Sequence, residues 1–247
     1  MLAFPIRSSY VAGMSTKAKN TQVHTRDKAA HKKASKYHHG ALRAALIRAA
    51  RDILESEGYE ALTLRAAARR VGVSQAAPYN HFADKAALLA AVATLGFQEF
   101  AAAMRQEMDA VVDPQARLNA SGIAYVAFAT SNPGLFKLMF GSSVLMGSDR
   151  PDLDAARTAA YDVLRGAVHS VHVPGPSDAR QEALESLKSW ALVHGLATMI
   201  NEGTIAPDIF GASSARELIT VLLGSPQTPK KGRTPIAAKK RNEMKWA

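Results

Sequence analysis

From Ala41 onward, apolar residues return with the period of a helix and not with the two-residue alternation of a strand. The stretch ALRAALIRAARDILESEGYEAL puts Leu42, Leu46, Ala49, Ala50 and Ile53 at i, i+4, i+7, i+8 and i+11, one face of an amphipathic helix. Gly58 suits the left-handed position that closes such a helix. A second helix begins at Thr63 as N-cap, runs through LRAAARRV and stops at Gly72. Ser74 caps a short third helix over residues 75–81, and Asp84 caps a fourth that continues through KAALLAAVATLGFQEFAAAMRQEM. Three helices in about fifty residues, the last two joined by Val71-Gly72-Val73, give a helix-turn-helix pattern with Ala68 at the close approach. That spacing also fits an ordinary three-helix bundle that binds nothing.

Beyond residue 93 the same period predicts five or six more helices. DPQARLNASGIAYVAFATSN forms one, Pro133-Gly134 breaks it, and a short aromatic helix follows. LDAARTAAYDVLRGAVHSVHV, closed by Pro174-Gly175-Pro176, is another, followed by ARQEALESLKSWALVHGLATMINEG and SSARELITVLLG. Strand-type runs are nearly absent, so the chain is read as all-α, with no internal repeat.

The chemistry of residues 74–85 favours DNA over a silent bundle. Gln75 can pair bidentately with an adenine edge, Ala76 and Ala77 are small enough to touch a thymine methyl, and Asn80 is a further base reader. Ser74 belongs to the same DNA-binding candidate set, Tyr79, His81 and Lys85 supply donors for the phosphates around it, and Thr63 and Lys85 stand at helix N-termini that favour phosphate. Phe82 is expected to be a core anchor. Pro78, the fourth residue after the Ser74 cap, loses its N–H at the helix edge and pushes Ala77 off helical angles. A distorted or partly 3₁₀ first turn with an inward-facing proline is expected.

Thr63, the turn Gly72-Val73-Ser74, and Tyr79, His81, Phe82 and Lys85 occur in an order that resembles the TetR family of bacterial transcriptional regulators, over residues 38–92. Ala66 and Ala67 depart from that pattern, standing where an acidic residue and a bulky aliphatic are common, which thins the second helix's share of the core. Phe128-Ala129, Pro133, Leu135-Phe136 and Leu138-Met139-Phe140, followed by Trp190, His194 and Gly195, resemble the C-terminal domain of the Trp-His-Gly subgroup. The resemblance implies an N-terminal helix-turn-helix DNA-binding domain and a C-terminal helical ligand-binding and dimerisation domain. It also implies a homodimer through Ala179 to about Ile200 and residues 213–223, a pseudo-palindromic double-stranded operator, and release by a small hydrophobic effector. A ligand pocket would use Tyr125, Phe128, Phe136, Met139, Phe140, Trp190 and His194; the same residues also suit a plain helical core, with His194 satisfied by a carbonyl. The competing functional reading is a nucleoid-associated DNA-binding protein that answers to no ligand.

Charge sharpens the domain plan. Residues 1–40 hold eight Lys or Arg against one Asp, and residues 226–247 hold seven against one Glu, within a chain of net charge +10. The body is therefore mildly acidic and the ends basic. The expected plan is a disordered basic arm (1–37), the DNA-binding domain (38–92), the effector domain (93–225) and a basic tail (226–247). The arms either add non-specific phosphate affinity or are merely solvated. Met14 offers an alternative start. The absence of cysteine removes thiolate chemistry and fits a reducing cytoplasm. No apolar run is read as approaching the roughly 18 residues of a membrane span, and the first residues lack an export signal. His169 and His172 stand at i, i+3, a spacing that could hold a metal, and His38 and His39 are adjacent. Without carboxylates at fitting intervals they are read as exposed or capping histidines, and Asp149, Asp152 and Asp154 as a complement to a helix N-terminus. With no HExxH, phosphate loop or GxSxG, the chain is read as neither enzyme nor cofactor protein.

Overall fold

The computed structural model describes residues 26–142, 145, 150–171 and 179–224, with side chains from Gly40 onward. Eight α-helices and no strands occur among them: α1 (Arg26–Ser56), α2 (Leu64–Val71), α3 (Lys85–Asp109), α4 (Pro114–Ser131), α5 (Pro133–Gly141), α6 (Pro151–Val171), α7 (Ala179–Asn201) and α8 (Ala215–Leu222). Two 3₁₀ segments, Ala77–Asn80 and Pro207–Phe210, interrupt the series. The helix ends follow local chemistry. The Thr63 hydroxyl accepts from the Ala66 N–H at 3.0 Å, the Asp84 carboxylate from Ala87 at 2.7 Å and the Asp113 carboxylate from Ala116 at 2.8 Å. Gly72 ends α2 at φ +80°, and its N–H returns to the carbonyls of Ala68 and Arg69. Ser214 caps α8, where Glu217 reaches back to the Ser213 N–H.

The chain divides into two compact units, Met1–Ala41 and Leu42–Ala247. Within the second, α3 is the central strut. Its apolar face runs from Leu88 to Met108, and it packs against α4, α5 and α6. At Gly96 an added Cβ would stand 2.8 Å from Met139 Sδ and 2.9 Å from Leu135 Cδ1, so α5 lies on α3 where only a glycine leaves room.

Three sequence expectations bear on this architecture. First, α1 begins at Arg26, inside the segment read as a disordered arm, so residues 26–37 are helical; residues 1–25 and the basic tail lie outside the described residues. Second, the boundary expected between residues 92 and 93 lies within α3, the helix already expected to run on from the Asp84 cap, and one continuous apolar core serves both regions. Third, α3 is long and apolar enough to meet the length and composition test for a membrane span, contrary to the reading above. Half of that apolar stretch is buried inside the fold, as expected for a core helix.

Candidate nucleic-acid interface and effector core

The polar segment after Gly72 is not the α-helix expected over residues 75–81. The Ser74 carbonyl accepts from the Ala77 N–H at 3.0 Å, a tight turn, and Ala77–Asn80 then winds as 3₁₀. The cause is Pro78. Without an N–H it cannot make the bond that would open an α-helix on Ser74, so the chain closes one residue earlier. Ser74 is therefore no helix cap; Ala76 precedes the first residue of the 3₁₀ turn, with no side-chain cap. The Pro78 ring is buried and its carbonyl accepts from both His81 and Phe82 at 2.9 Å. Phe82 is buried as expected, with the Arg43 guanidinium 5.4 Å from its ring centroid.

Pro78 and Phe82 thus anchor the segment from inside. Outside, Ser74, Gln75, Ala76, Tyr79 and Asn80 are exposed, while Ala77, His81 and Lys85 are half-buried. The His81 ring leans on Phe82 at 6.5 Å between centroids. Lys85 is more engaged than the sequence suggests: its ammonium donates to the Tyr59 carbonyl at 3.1 Å and lies 4.2 Å from the Tyr59 ring centroid. Thr63 is exposed, its hydroxyl oxygen occupied by the α2 cap.

The second candidate cluster is an aromatic knot of α3, α4, α5 and α7. Tyr125 is 2% exposed, with Phe100 edge-on at 4.7 Å and Phe136 at 6.0 Å. Phe140 stacks near Phe136 at 4.9 Å and near His194 at 5.0 Å, while Trp190 tilts over His194 at 5.0 Å. Phe128 joins through Phe100 at 5.2 Å, and Met139 is buried on the same side of α5. All seven residues expected to line a ligand pocket are therefore close together, and the rings of Tyr125, Phe136, Phe140, Trp190 and His194 pack on one another. Of these residues, only Phe128 borders a described cavity, an opening of about 300 Å³.

The polar groups inside this knot are linked to one another. The Tyr125 hydroxyl is 2.8 Å from His194 Nδ1 and also receives the Trp190 side chain. An indole N–H only donates, so the Tyr125 oxygen is the acceptor of that pair, while the direction of the Tyr125–His194 bond follows the imidazole tautomer. Burial pushes the Tyr125 hydroxyl well above its ordinary range despite the Trp190 bond, and burial lowers the His194 pKa. Both groups are neutral at pH 7. His194 is thus satisfied by a side chain and not by a carbonyl.

Sequence reading missed the contacts that join α1 to α3 and α5. Arg51 on α1 reaches Glu99 Oε2 at 2.5 Å and Asn132 Oδ1 at 2.7 Å. One turn later the Glu55 carboxylate accepts from the first free N–H groups of α5, Gly134 at 3.0 Å and Leu135 at 2.8 Å. The i, i+4 spacing of Arg51 and Glu55 marks one helix face, but nothing local names partners about eighty residues away.

A third surface is apolar and uncovered. Leu184, Leu187, Leu192 and Met199 are exposed on α7, as are Val221 and Leu222 on α8. The histidines behave otherwise: His169 pairs with Glu182 at 3.1 Å, and His172 lies outside the described residues. Asp152 and Asp154 occupy the first turn of α6, where Asp154 pairs with Arg157 at 2.9 Å.

Comparison with known proteins places these features. Residues 46–92 match the family model for bacterial regulatory proteins of the tetR family, and residues 118–222 match the model for the tetracyclin repressor-like C-terminal domain. A solved protein of unknown function from Rhodococcus sp. RHA1 is 34% identical, over 76% of this chain and 94% of that one, with a TM-score of 0.63. The TetR-family regulator PfmR from Thermus thermophilus shares the fold at 22% identity, over 72% of this chain and 91% of that one, with a TM-score of 0.52. AibR, solved with isovaleryl coenzyme A and operator DNA, shares it at 19% identity over 74% and 96%, with a TM-score of 0.55. Among curated proteins, the nucleoid occlusion factor SlmA of Vibrio vulnificus (strain YJ016) is 30% identical over 106 residues, 42% of this chain and 54% of that protein. The chain thus spans about half the length of the curated relatives it matches. With residues 74–82 inside one matched region and the α4, α5 and α7 members of the aromatic knot inside the other, the chain belongs to the tetR family of bacterial regulatory proteins.

Proposed function

We propose that this protein is a homodimeric, sequence-specific DNA-binding regulator that represses from a pseudo-palindromic operator and is released by a small molecule. One observation carries the reading: a run of exposed polar and small side chains, Gln75, Ala76, Tyr79 and Asn80, held from beneath by buried Pro78 and Phe82. Such a segment has no packing role to explain its composition. Gln75 and Asn80 read base edges, Ser74, Tyr79 and His81 meet phosphates, and Ala76 and Ala77 permit close approach. Thr63 and Lys85 contribute as phosphate contacts at the starts of α2 and α3. Lys85 keeps two of its three donors for this while holding Tyr59.

The exposed apolar stripe of α7 and α8 serves as the dimer surface. Gly195 supports this: an added Cβ there would meet nothing within 4 Å of its own chain, so the position is open to a second copy. Trp190, His194 and Gly195 also favour a C-terminal domain of the Trp-His-Gly type. The effector acts on the aromatic knot, and the Arg51 and Glu55 contacts carry a shift of α5 to α1. Only a ligand that prefers one of two arrangements can do this. The fold is compatible with both partners, since AibR holds a coenzyme A thioester and operator DNA. The reading places the protein in the cytoplasm, on DNA.

Selection of bound sequences from a random library, followed by band-shift titration with the chain and its Gln75→Ala and Asn80→Ala variants, tests the reading. A single two-fold-related site whose preference relaxes in the variants is expected; binding indifferent to sequence would remove it. The names of the curated relatives favour a second reading, a nucleoid-associated role without a ligand. Genome-wide occupancy separates the two: a few promoter sites indicate regulation, and many dispersed sites indicate the nucleoid role.

A further inference from the structure

The largest described cavity lies outside the aromatic knot. It has a volume of about 960 Å³ and opens between α1, α3 and α6, within the range of roughly 300–1,000 Å³ typical of ligand sites. Its space comes from side chains that stop at Cβ: seven of its nineteen lining residues are alanine. Ile47 and Leu153 are buried in its floor. The rim is cationic. Arg43, Arg48, Arg51 and Arg150 line it against only Glu99 and Asp152, which leaves two positive charges in excess. Glu99 is already bound by Arg51, and Arg48 is exposed with no ion pair among the described residues. An alanine-lined apolar floor under an excess of guanidinium groups matches an amphipathic anion better than a neutral hydrophobe.

We propose that this cleft binds a small organic anion with an apolar body, its acidic group held by Arg48 and its neighbours and its chain laid on Ile47 and Leu153. The cleft belongs to α1 as much as to α6, and Arg43 at its edge also sits over Phe82, the internal anchor of the reading segment. An anion that draws Arg43 away acts directly on that anchor. The site does not depend on the DNA-binding reading, because its occupancy is measured without DNA.

The test is a fluorescence titration of the full chain with dansyl-undecanoate, competed by decanoate and separately by decanol. Decanoate should displace the probe and decanol should not. Arg48→Glu should weaken probe binding by about tenfold or more, and Ala155→Trp, on the exposed rim, should block it by filling the cleft while keeping an intact helical spectrum. Wild-type binding in both variants, or equal competition by decanol, overturns the proposal. So does binding that survives both cleft variants but is lost in Trp190→Ala, which would put the ligand in the aromatic knot.

Discussion

The reading segment and the aromatic knot use polar side chains in opposite ways. In residues 74–82 the apolar groups Pro78 and Phe82 are buried and the polar groups face outward, so scaffold and proposed contact surface occupy different atoms. In the knot, Tyr125 and His194 are themselves part of the packing, and their hydrogen bond is made inside a shell of rings. The first arrangement lets specificity change at little cost in stability. The second ties any change of chemistry to the core.

The largest effect should come from the knot. Phe136→Ala should destabilise the fold by about 3–5 kcal/mol, read as a lower midpoint in urea; a loss below about 1 kcal/mol would mean that the rings are not close-packed. Tyr125→Phe removes one hydroxyl but strands His194 Nδ1 and the Trp190 donor, at a cost of about 1–3 kcal/mol. By contrast, Gln75→Ala and Asn80→Ala should each leave the melting temperature within error while lowering operator affinity by about 1–3 kcal/mol. A shift in melting temperature as large as the loss in affinity would erase the distinction between the two regions.

A smaller effect concerns pH. Burial holds the His194 pKa below its ordinary value of 6.5, so below that pH the unfolded chain takes up a proton that the folded chain resists. Stability from this group is present above 6.5 and is lost as pH falls through the folded pKa. Thermal melts of wild type and His194→Gln across that range should converge toward acid; parallel curves would show that the imidazole contributes nothing. The smallest expected change is in Thr63→Ala, about 1 kcal/mol from the lost cap of α2. It should show in stability before it shows in DNA binding.

What the sequence revealed follows the range of the forces involved. Caps such as Thr63 and Asp84, and the left-handed Gly72, are decided within four residues and were legible. The inward face of Pro78 was legible for the same reason. Its full consequence was not: the loss of one N–H converted the whole expected helix to a turn and 3₁₀, because no later residues extend it long enough to recover the α period. In the knot, the membership of the cluster could be read from aromatic spacing, but whether the rings line a cavity or fill it depends on contacts such as Tyr125 to His194, 69 residues apart. The cleft escaped notice because it is made by alanines, whose effect is the space they leave.

The Glu55 carboxylate on the N-terminus of α5, with Arg51 on Asn132, bears on whether the N-terminal helices can be moved to another protein. Sequence suggests a detachable DNA-binding module. These bonds make α1 the seat on which the other domain's corner rests, so the module has no clean edge. A chimera that grafts residues 38–92 onto a foreign effector domain would need an acceptor corresponding to Asn132 and free N–H groups corresponding to Gly134 and Leu135. Without them the graft carries a carboxylate and a guanidinium into a junction that cannot answer either. Interchangeability here is a property of a pair of surfaces, and a graft is expected to hold only when both travel together.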